Sequence, residues 1–448
     1  MPKKKTALTI EERLQQALVP AEEQPYEVPE NWVWVRLGAI AEIVTGGTPS
    51  KKHPEYYGGN FPFYKPSDLD QGRLTYDASE YLSEEGKNVS RIIPKNSTAV
   101  CCIGSIGKCG YLMCEGTTNQ QINSAIPKIN SLCLYYYLCT ENFVQDLLSM
   151  ASATTIAIVN KSKMESCAFP LPPLSEQQRI VERIEELLAK LDEAKERLQE
   201  VADSFAVRKA AILHKAFTGE LTKQWRRENG VSDESWEESN FGKFTVSQYG
   251  YTEKAHWEKV GPKFLRITDI QDNKVDWDEV PWCPIDEAGM KQYAVQIGDI
   301  MIARTGATTG KSYLICDDVE AVFASFLIRL KVVDKNLDYN YLYGYMQSED
   351  YWRQITDFSS GIAQPGVNAN KLKQIKFKCP SLPEQHEIVR LIDDLLARER
   401  AAQQAAEQAL ASIDLMKKSI LARAFRGELG TNKASEASAL ELLRQVLS

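Results

Sequence analysis

The sequence lacks the long apolar run that a membrane span or a signal peptide would need. No run of about 18 apolar residues occurs, and the N-terminus is polar, with Lys3, Lys4 and Lys5 ahead of Glu11 and Glu12. Positive charge is also in short supply, because 53 lysines and arginines face 61 acidic residues, a net charge of −8. We therefore expect a cytoplasmic protein without a membrane anchor, in which any attraction to nucleic acid is local.

The composition is otherwise that of an ordinary folded protein. Hydrophobic residues make up 43% and charged residues 25% of the 448 residues, which excludes a largely disordered chain. A single core rarely supports a chain of this length, so about two to four domains are expected.

The cysteines and histidines do not form metal or disulfide patterns. The ten cysteines have no regular framework, and the adjacent Cys101 and Cys102 lie in an apolar stretch that is typical of buried thiols. The spacing of Cys102, Cys109 and Cys114 matches no zinc motif. The four histidines are scattered along the chain: His53, His214, His256 and His386. We therefore predict that this chain binds no metal.

Two segments of the sequence resemble known catalytic motifs but lack residues that those motifs require. Residues 306–312 resemble a phosphate-binding P-loop but have three residues between the glycines where four are needed, and the loop at 104–108 is shorter still. Residues 60–63 resemble the Asn-Pro-Pro-Phe loop of amino-methyltransferases but lack the second-position proline, and no glycine-rich cofactor loop precedes them. No acidic cluster suggests two-metal nuclease chemistry. We therefore expect no catalytic residues and no bound cofactor.

A repeat at an offset of 208 residues organises the chain. Of the 46 positions in 176–221, 18 are identical to their partners in 384–429, without a gap. Apolar residues in both copies are spaced alternately by four and three, the a/d pattern of a coiled coil sustained for about four heptads. The predicted coiled-coil seam is Ile180, Ile184, Leu187, Leu191 and Leu198 in the first copy, and Ile388, Ile392, Leu395 and Ile413 in the second, interrupted by Glu399.

Start and stop signals frame both copies of the repeat. The starts are capping boxes formed by Ser175 with Gln178 and by Ser381 with Glu384, and the stops are C′ glycines at Gly219 and Gly427. Each helix would then run for roughly 40 residues, or about 60 Å. We expect a long antiparallel pair that acts as a rod, with two ordinary amphipathic core helices as the alternative.

A mixed segment lies upstream of each helix, and the two segments also echo each other. Residues 63–69 line up with 264–270, and residues 100–108 line up with 300–311. The expected segments are an N-terminal arm (1–30), a first globular domain (31–174), a first helix (175–222), a linker (223–239), a second globular domain (240–380), a second helix (381–429) and a C-terminal tail (430–448). The expected fold is α+β: two globular mixed α/β domains held apart by two long antiparallel coiled-coil helices, with an internal pseudo-two-fold repeat.

Three local motifs carry a resemblance to a known family. They are residues 46–50 followed by 62–69, residues 298–311, and residues 170–181. These look like the opening of the target-recognition domain, the central strand and loop, and the entry into the spacer helix in the specificity (S) subunit of Type I restriction–modification systems. The resemblance covers residues 10–429 and departs from the family pattern in the looser helix entry at 381–386.

The resemblance implies a cytoplasmic DNA-recognition subunit without catalytic residues of its own. It would read an asymmetric bipartite site in double-stranded DNA and bind two methyltransferase (M) subunits, which methylate adenine with S-adenosylmethionine. With two restriction (R) subunits it would direct cleavage that uses ATP and Mg. The alternatives are a coiled-coil scaffold whose globular ends bind proteins, and a fused methyltransferase–specificity chain, which the missing cofactor motif disfavours.

Clustered residues must supply the DNA contacts, because neither domain is broadly basic. Lysine and arginine would hold phosphates, glycines would let backbone amides approach them, and Gln, Asn and Arg would pair with base edges. The candidates in the first domain are Lys51, Lys52, Lys65, Ser67, Gly104, Ser105, Gly107, Lys108, Asn119, Gln120 and Gln121. Those in the second domain are Arg266, Thr268, Arg304, Thr305, Thr308, Thr309 and Lys311. A solvated surface loop is the alternative for each of them.

Two leucines beside the seam suggest where a partner could dock. Leu188 and Leu396 lie next to the a/d positions at equivalent places in the two copies. An apolar residue just outside the seam would give the rod some partner-binding character.

Overall fold

The computed structural model describes residues 9–71, 74–151, 157–271, 273–359 and 366–448. The chain divides into two units: the first contains the residues up to Leu198 together with Gln408–Ser448, and the second is Gln199–Glu407. Each unit holds one globular domain and part of each long helix.

The first unit is built around a five-stranded sheet. Its strands are β1 (Val33–Arg36), β2 (Ala41–Thr45), β3 (Tyr57–Tyr64), β4 (Leu74–Thr75), β5 (Glu80–Leu82), β6 (Thr98–Cys101), β7 (Cys109–Leu112), β8 (Thr117–Thr118), β9 (Ile122–Pro127) and β10 (Ala168–Leu171). The large sheet has the order β2-β9-β6-β7-β4, a smaller one has the order β5-β3-β8, and β1 pairs with β10. All four residues of β6 are buried, as expected for a central strand that is covered on both faces.

Short helices cover these strands, and polar side chains cap several of them. The helices are α1 (Ile10–Ala17), α2 (Leu37–Ile40), α3 (Glu84–Asn88), α4 (Ser131–Leu138), α5 (Glu141–Met150) and α6 (Lys161–Ser166), followed by the long α7 (Leu174–Asp203). Asn130, Thr140 and Asn160 accept backbone N–H groups at the starts of α4, α5 and α6.

The second unit repeats the topology of the first. Its elements are α8 (Phe205–Phe217), α9 (Lys223–Glu228), β11 (Glu237–Asn240), α10 (Phe241–Phe244), β12 (Thr245–Tyr249), β13 (Lys263–Leu265), β14 (Ile270–Gln271), β15 (Lys274–Val275), α11 (Glu287–Tyr293), β16 (Ile300–Ala303), β17 (Ser312–Leu314), β18 (Ala321–Phe323), β19 (Leu327–Val332), α12 (Tyr339–Tyr345), α13 (Glu349–Ser359), α14 (Ala369–Lys373), β20 (Lys376–Cys379) and the long α15 (Leu382–Ala424). The order β12-β19-β16-β17 matches β2-β9-β6-β7, and β11-β20 matches β1-β10. The parallel pair β13-β18 likewise matches β3-β8. The expected α+β fold with an internal repeat is therefore confirmed.

The two long helices differ in continuity. The second is a single helix of 43 residues, whereas the first is interrupted at Ser204 and ends at Phe217, so the prediction of one unbroken helix over 175–222 was wrong. The Arg208 guanidinium donates to the Ser204 hydroxyl and to the carbonyl of Val201. These side-chain bonds compete with the helical pattern at that turn.

Four of the nine predicted seam residues pack into the globular cores. Ile180 and Ile184 are fully buried in the core of the first unit, and Ile388 and Ile392 are buried in the core of the second. The remaining positions are half-buried, apart from the buried Ile413: Leu187, Leu191, Leu198 and Leu395. The ends of these helices therefore behave as amphipathic core helices, as the alternative interpretation expected.

Ion pairs also connect the two long helices within each unit. In the first unit Lys417 Nζ lies 2.5 Å from Asp192 Oδ1. In the second unit Arg208 Nε lies 2.5 Å from Glu399 Oε2. Glu399, which interrupts the apolar pattern, is therefore paired with an arginine of the facing helix.

The two leucines beside the seam do not form a partner surface. Leu396 is 7% exposed within the core of the second unit, and Leu188 packs against the core of the first. Both side chains face their own globular domain, so the expectation of partner-binding character at these positions was wrong.

The long helices begin within one residue of the predicted starts, but the predicted capping boxes do not form, and the predicted stops are confirmed. Helix α7 begins at Leu174, so Ser175 lies inside it, and the carboxylate of Glu384 bonds to Thr222 and Arg226 instead of capping its helix. The stops are left-handed glycines, with φ of +85° at Gly219 and +74° at Gly427.

The predicted tail and linker are parts of the folded units. Residues 430–448 contain helix α16 (Ala439–Leu447), whose Ala439 and Leu443 are fully buried in the first core. Arg179 holds this segment through two bonds to Glu436, at 2.9 and 2.7 Å. The predicted linker contains α9 and the start of β11. In the described ranges no helix is both long enough and apolar enough to cross a membrane.

Phe425 provides a test of this packing in the first unit. The buried ring lies 5.1 Å from the Tyr137 ring and 6.4 Å from the Phe169 ring. Phe425→Ala is expected to lower the free energy of unfolding of the first unit by about 3–5 kcal/mol, because it removes an aromatic side chain from a packed core. Urea unfolding with hydrogen exchange of the peptides around β1 and β10 would measure the loss. Leu415→Ala, in the helix that ends just before Phe425 but 67% exposed, is the control, and an equal loss in both variants would contradict the prediction.

Candidate nucleic-acid interface

One hairpin loop is built twice, once in each globular domain, between β6 and β7 and between β16 and β17. The two loops are residues 102–108 and 304–311. Gly107 donates its N–H to the carbonyl of Cys101 at 2.9 Å, and Gly310 donates to the carbonyl of Ala303 at 2.8 Å. The same main-chain closure therefore holds both loops.

Glycines with positive φ shape the two loops in the same way. Gly104 and Gly306 have φ of +82° and +80°, and a side chain at either would meet only open space. Gly107 and Gly310 have φ of +85° and +88°, and a Cβ at Gly107 would lie 2.7 Å from Val144. The first glycine of each pair thus leaves the backbone accessible, and the second lets the loop pack closely on a helix.

The predicted lysines of the first domain lie on its surface, and two of them are in ion pairs. Lys108 Nζ lies 2.5 Å from Asp70 Oδ2, and Lys65 Nζ lies 2.8 Å from Glu80 Oε2. Lys51 and Lys52 are exposed on the turn before β3. The structure therefore presents all four lysines to solvent to some degree, two of them already held by a carboxylate.

Two of the three predicted cations of the second domain lie against aromatic rings. The Arg266 guanidinium bonds to both oxygens of Asp269, at 3.1 and 2.6 Å, and lies 5.6 Å from the Trp257 ring centre. The Arg304 guanidinium lies 5.0 Å from the Tyr249 ring centre. Lys311 is exposed at the end of the hairpin loop.

The three predicted amides of the first domain are not equivalent. Asn119 is 8% exposed, and its side chain bonds to Gln121 through both its oxygen, at 3.0 Å, and its nitrogen, at 2.9 Å. Gln120 is exposed and accepts from the Thr48 hydroxyl at 2.5 Å. The Asn119 side chain therefore stabilises the turn, which corrects its expected place among the base-reading residues. Gln120, in contrast, is exposed to solvent.

The predicted hydroxyl groups divide in the same way. Thr309 is 8% exposed and donates to the carbonyl of Gly306 at 2.8 Å. Its hydroxyl therefore stabilises the loop, which corrects its expected place among the DNA-contacting residues. The exposed hydroxyl residues are Ser67, Ser105 and Thr268, and the half-buried ones are Thr305 and Thr308.

Sequence reasoning missed three exposed aromatic residues beside these cations. Tyr249, Trp257 and Phe326 are 41%, 67% and 61% exposed. Two of them lie under an arginine, and the carbonyl of Phe326 accepts the N–H of Arg304 at 3.1 Å. An aromatic residue next to a glycine, as at Tyr249, was the available signal, but it does not by itself distinguish a surface ring from a core ring.

The thiols near the site are not poised as nucleophiles. Burial raises the pKa of Cys102, at the base of the first hairpin loop, to about 12. Burial likewise raises the pKa of Cys283 in the second unit to about 11. Both thiols therefore stay protonated at neutral pH. Within the described part of the chain no group of three His, Cys, Asp or Glu residues could hold a metal ion.

The two repeated domains match one family model twice. The model is that of the Type I restriction modification DNA specificity domain, and it matches residues 29–203 and 235–409. The chain belongs to this family, and its two domains are DNA sequence-recognition domains of a Type I specificity subunit.

Relatives and solved structures agree with this assignment. The chain is 27% identical to the Type I restriction enzyme EcoBI specificity subunit of Escherichia coli, over 90% of this chain and 87% of the relative. It is 26% identical to the MjaVIII specificity subunit of Methanocaldococcus jannaschii, over 85% of this chain and 91% of the relative. Its fold is similar to the crystal structure of the HsdS subunit from Thermoanaerobacter tengcongensis, with a TM-score of 0.66 and 18% identity over 91% of this chain and 99% of that chain. Nothing among these matches supports the scaffold alternative.

Lys311 offers a test of phosphate contact at the hairpin loop. Lys311→Ala in the assembled Type I complex is expected to weaken binding to duplex DNA evenly across sequences. The slope of log K against log salt should become shallower by about 0.9, because one phosphate contact is lost. Fluorescence anisotropy across a salt series would measure the slope.

The matched control is Lys291→Ala, which removes an exposed lysine of the same unit that pairs with Glu287. This variant should leave the slope unchanged. An unchanged slope in Lys311→Ala would remove this lysine from the interface.

Proposed function

We propose that this chain reads an asymmetric, two-part DNA site, one part with each globular domain, for a Type I complex that methylates adenine. One observation carries the proposal. Both domains contain the same hairpin loop, closed by the same main-chain hydrogen bond, but the two loops have different side chains. At the base of the loop Cys102 stands in the first domain where Arg304 stands in the second. Two related but unlike readers on one chain fit a site without a palindrome, unlike a symmetric homodimer, which reads two equal halves.

The proposed contacts divide into phosphate binding and base reading. Lys51, Lys52, Lys65 and Lys108 would bind phosphates in one half-site, and Arg266 and Lys311 would do so in the other. Gln120 and Gln121 would pair with adenine and Arg304 with guanine. Ser67, Ser105, Thr268, Thr305 and Thr308 would add hydrogen bonds to the DNA backbone. The expected amide contacts of Gly104 and Gly107 are not part of the proposal, because these N–H groups donate to the carbonyls of Ala157, at 3.4 Å, and Cys101, at 2.9 Å. The net negative charge of −8 requires such clustering, since no general attraction to DNA is available.

The chemistry in this proposal belongs to the partner subunits. Two methyltransferase subunits would use S-adenosylmethionine, and two restriction subunits would use ATP and Mg, while this chain contributes no catalytic residue. The proposal places the complex in the cytoplasm, where it meets chromosomal and invading DNA. Exposed apolar residues on the long helices support docking of a partner on each unit: Val201 and Val207 on the second unit, 40% and 71% exposed, and Leu415 and Met416 on the first, 67% and 49% exposed.

Loss of the chain provides the direct test. Single-molecule methylome sequencing of cells with and without this chain should show the disappearance of one split motif that contains methylated adenine. Restoring the chain should restore the same motif. Identical methylomes in the two strains would reject the proposal.

The long helices are proposed to set the spacer between the two half-sites. One heptad inserted after Leu198 in the first helix, together with one after Glu407 in the second, adds seven residues to each and keeps the a/d register. At 1.5 Å per residue this lengthens the helices by about 10 Å, so the spacer should grow by about three base pairs while both half-sites stay the same. Methylome sequencing of the variant would report the new motif.

The control for this test is the same seven residues inserted after Ser232, in an exposed stretch outside both long helices. It should leave the spacer unchanged. A heptad variant that methylates the original spacer would show that helix length does not set the distance.

A further inference from the structure

A tight turn between two strands is also built twice, once in each domain. It joins β8 to β9 in the first domain and β18 to β19 in the second. The turn is closed by the N–H of Ile122 to the carbonyl of Asn119 at 3.1 Å, and by the N–H of Leu327 to the carbonyl of Ala324 at 2.9 Å. The two turns are therefore structurally equivalent, although their sequences share no identity at the tip.

The tip of each turn is bonded to the base of the neighbouring hairpin loop. The carbonyl of Gln121 accepts the N–H of Cys102 at 2.7 Å, and the carbonyl of Phe326 accepts the N–H of Arg304 at 3.1 Å. Phe326 thus occupies the place of Gln121, and Arg304 occupies the place of Cys102. The predicted base-reading position of the first domain has an aromatic counterpart in the second.

Phe326 is held rigidly but left open to solvent. Its neighbours in the turn are fixed by the N–H of Ser325, which donates to the carbonyl of Tyr251 at 2.8 Å, and by the closing bond of Leu327. The side chain is nevertheless 61% exposed. A rigid backbone that presents an aromatic ring to water loses little entropy when the ring meets a ligand surface.

Arg304 is fixed beside the same turn. Its guanidinium lies 5.0 Å from the ring centre of Tyr249, whose hydroxyl accepts the N–H of Ala369 at 3.2 Å. Its Nε is buried and has no hydrogen-bond partner among the described residues. The plane of the guanidinium is therefore oriented by an aromatic ring while its hydrogen-bonding capacity is incompletely used.

We propose that Phe326 and Arg304 read neighbouring base pairs in the half-site of the second domain, Phe326 by contact with the 5-methyl group of a thymine and Arg304 by bidentate bonds to a guanine. The thymine methyl is the apolar feature of the major groove, and the O6 and N7 of guanine match the arginine fork. The inference rests on the proposed function. It adds that this half-site contains a thymine next to a guanine, and that the first domain, with Gln121 at the same place, reads a different base there.

Replacing thymine by deoxyuridine tests the contact of Phe326, because only the methyl group is removed. In the assembled complex, methylation of duplexes that carry deoxyuridine at one position of this half-site should be about fourfold slower than with thymine. Phe326→Ala should abolish that preference without altering selection at the first half-site. Ile297→Ala, which truncates another exposed side chain of the unit (56% exposed), is the control and should keep the preference.

Arg304→Lys tests the guanine contact. It keeps the charge but loses the planar fork, so guanine should be replaced by a mixture of bases at one position of the motif, with the salt dependence of binding unchanged. Thermal unfolding of both variants should match that of the wild-type chain, because Phe326 is exposed and the lysine retains the aliphatic stem.

The outcomes separate this inference from the proposed function. A wild-type complex that methylates no split motif would reject the proposed function itself. A wild-type complex with a split motif but no preference for thymine over deoxyuridine in the second half-site would overturn the inference alone. A preference that Phe326→Ala leaves intact, or a change confined to the first half-site, would also overturn it.

Discussion

A buried glutamate lies near the start of each long helix, and the closure of each unit depends on how that carboxylate is satisfied. Glu176 is fully buried in the first unit and accepts a hydrogen bond from Asn432 Nδ2 at 2.8 Å. Glu384 is equally buried in the second unit and accepts from Thr222 and from Arg226, at 2.7 Å each. Removing the partner of a buried ion pair such as Glu384 with Arg226 costs about 3–5 kcal/mol, and a buried carboxylate without donors is likewise unfavourable. Each helix start therefore requires the residues that follow the end of the other helix to return to its unit. The donors differ, while the arrangement is the same: the Asn432 amide and the Trp32 indole, which donates to Glu176 Oε2 at 2.7 Å, in the first unit, and the Arg226 guanidinium in the second.

The hairpin loops and tight turns proposed to read DNA likewise combine the same backbone arrangement in both domains with different side chains. The hairpin loops and the tight turns are held by main-chain hydrogen bonds, and left-handed glycines also shape the hairpin loops; neither depends on the identity of the neighbouring side chains. Side chains at equivalent places on them can therefore differ: the buried Cys102 corresponds to the half-buried Arg304, and the half-buried Gln121 corresponds to the exposed Phe326. A duplicated domain can diverge in what it reads without losing its fold, because the bonds that specify the loop lie in the backbone.

Much of the architecture could be predicted from the repeat and its periodicity. The equivalence of the two domains, the long second helix and the glycine stops at Gly219 and Gly427 follow from local patterns, since they depend on residues close in sequence. Three predictions were wrong because long-range contacts override local preference there. They are the capping boxes, the unbroken first helix and the C-terminal tail, which contains a helix that packs on the first core. Asn119 and Thr309 were predicted to contact DNA, but their side chains form hydrogen bonds within the turn and the hairpin loop that contain them.

The sequence by itself determined the duplication, the helical period, the positions that need positive φ and the absence of a general positive charge, because each of these is written in residue identity and spacing. Only the tertiary structure decided which face of each helix meets a core, which polar side chains are satisfied internally and which aromatic rings remain exposed. Those outcomes depend on partners that are distant in the chain, such as Glu176 with Asn432 or Arg304 with Phe326 and Tyr249. A one-dimensional pattern carries no information about such pairs until the chain has folded.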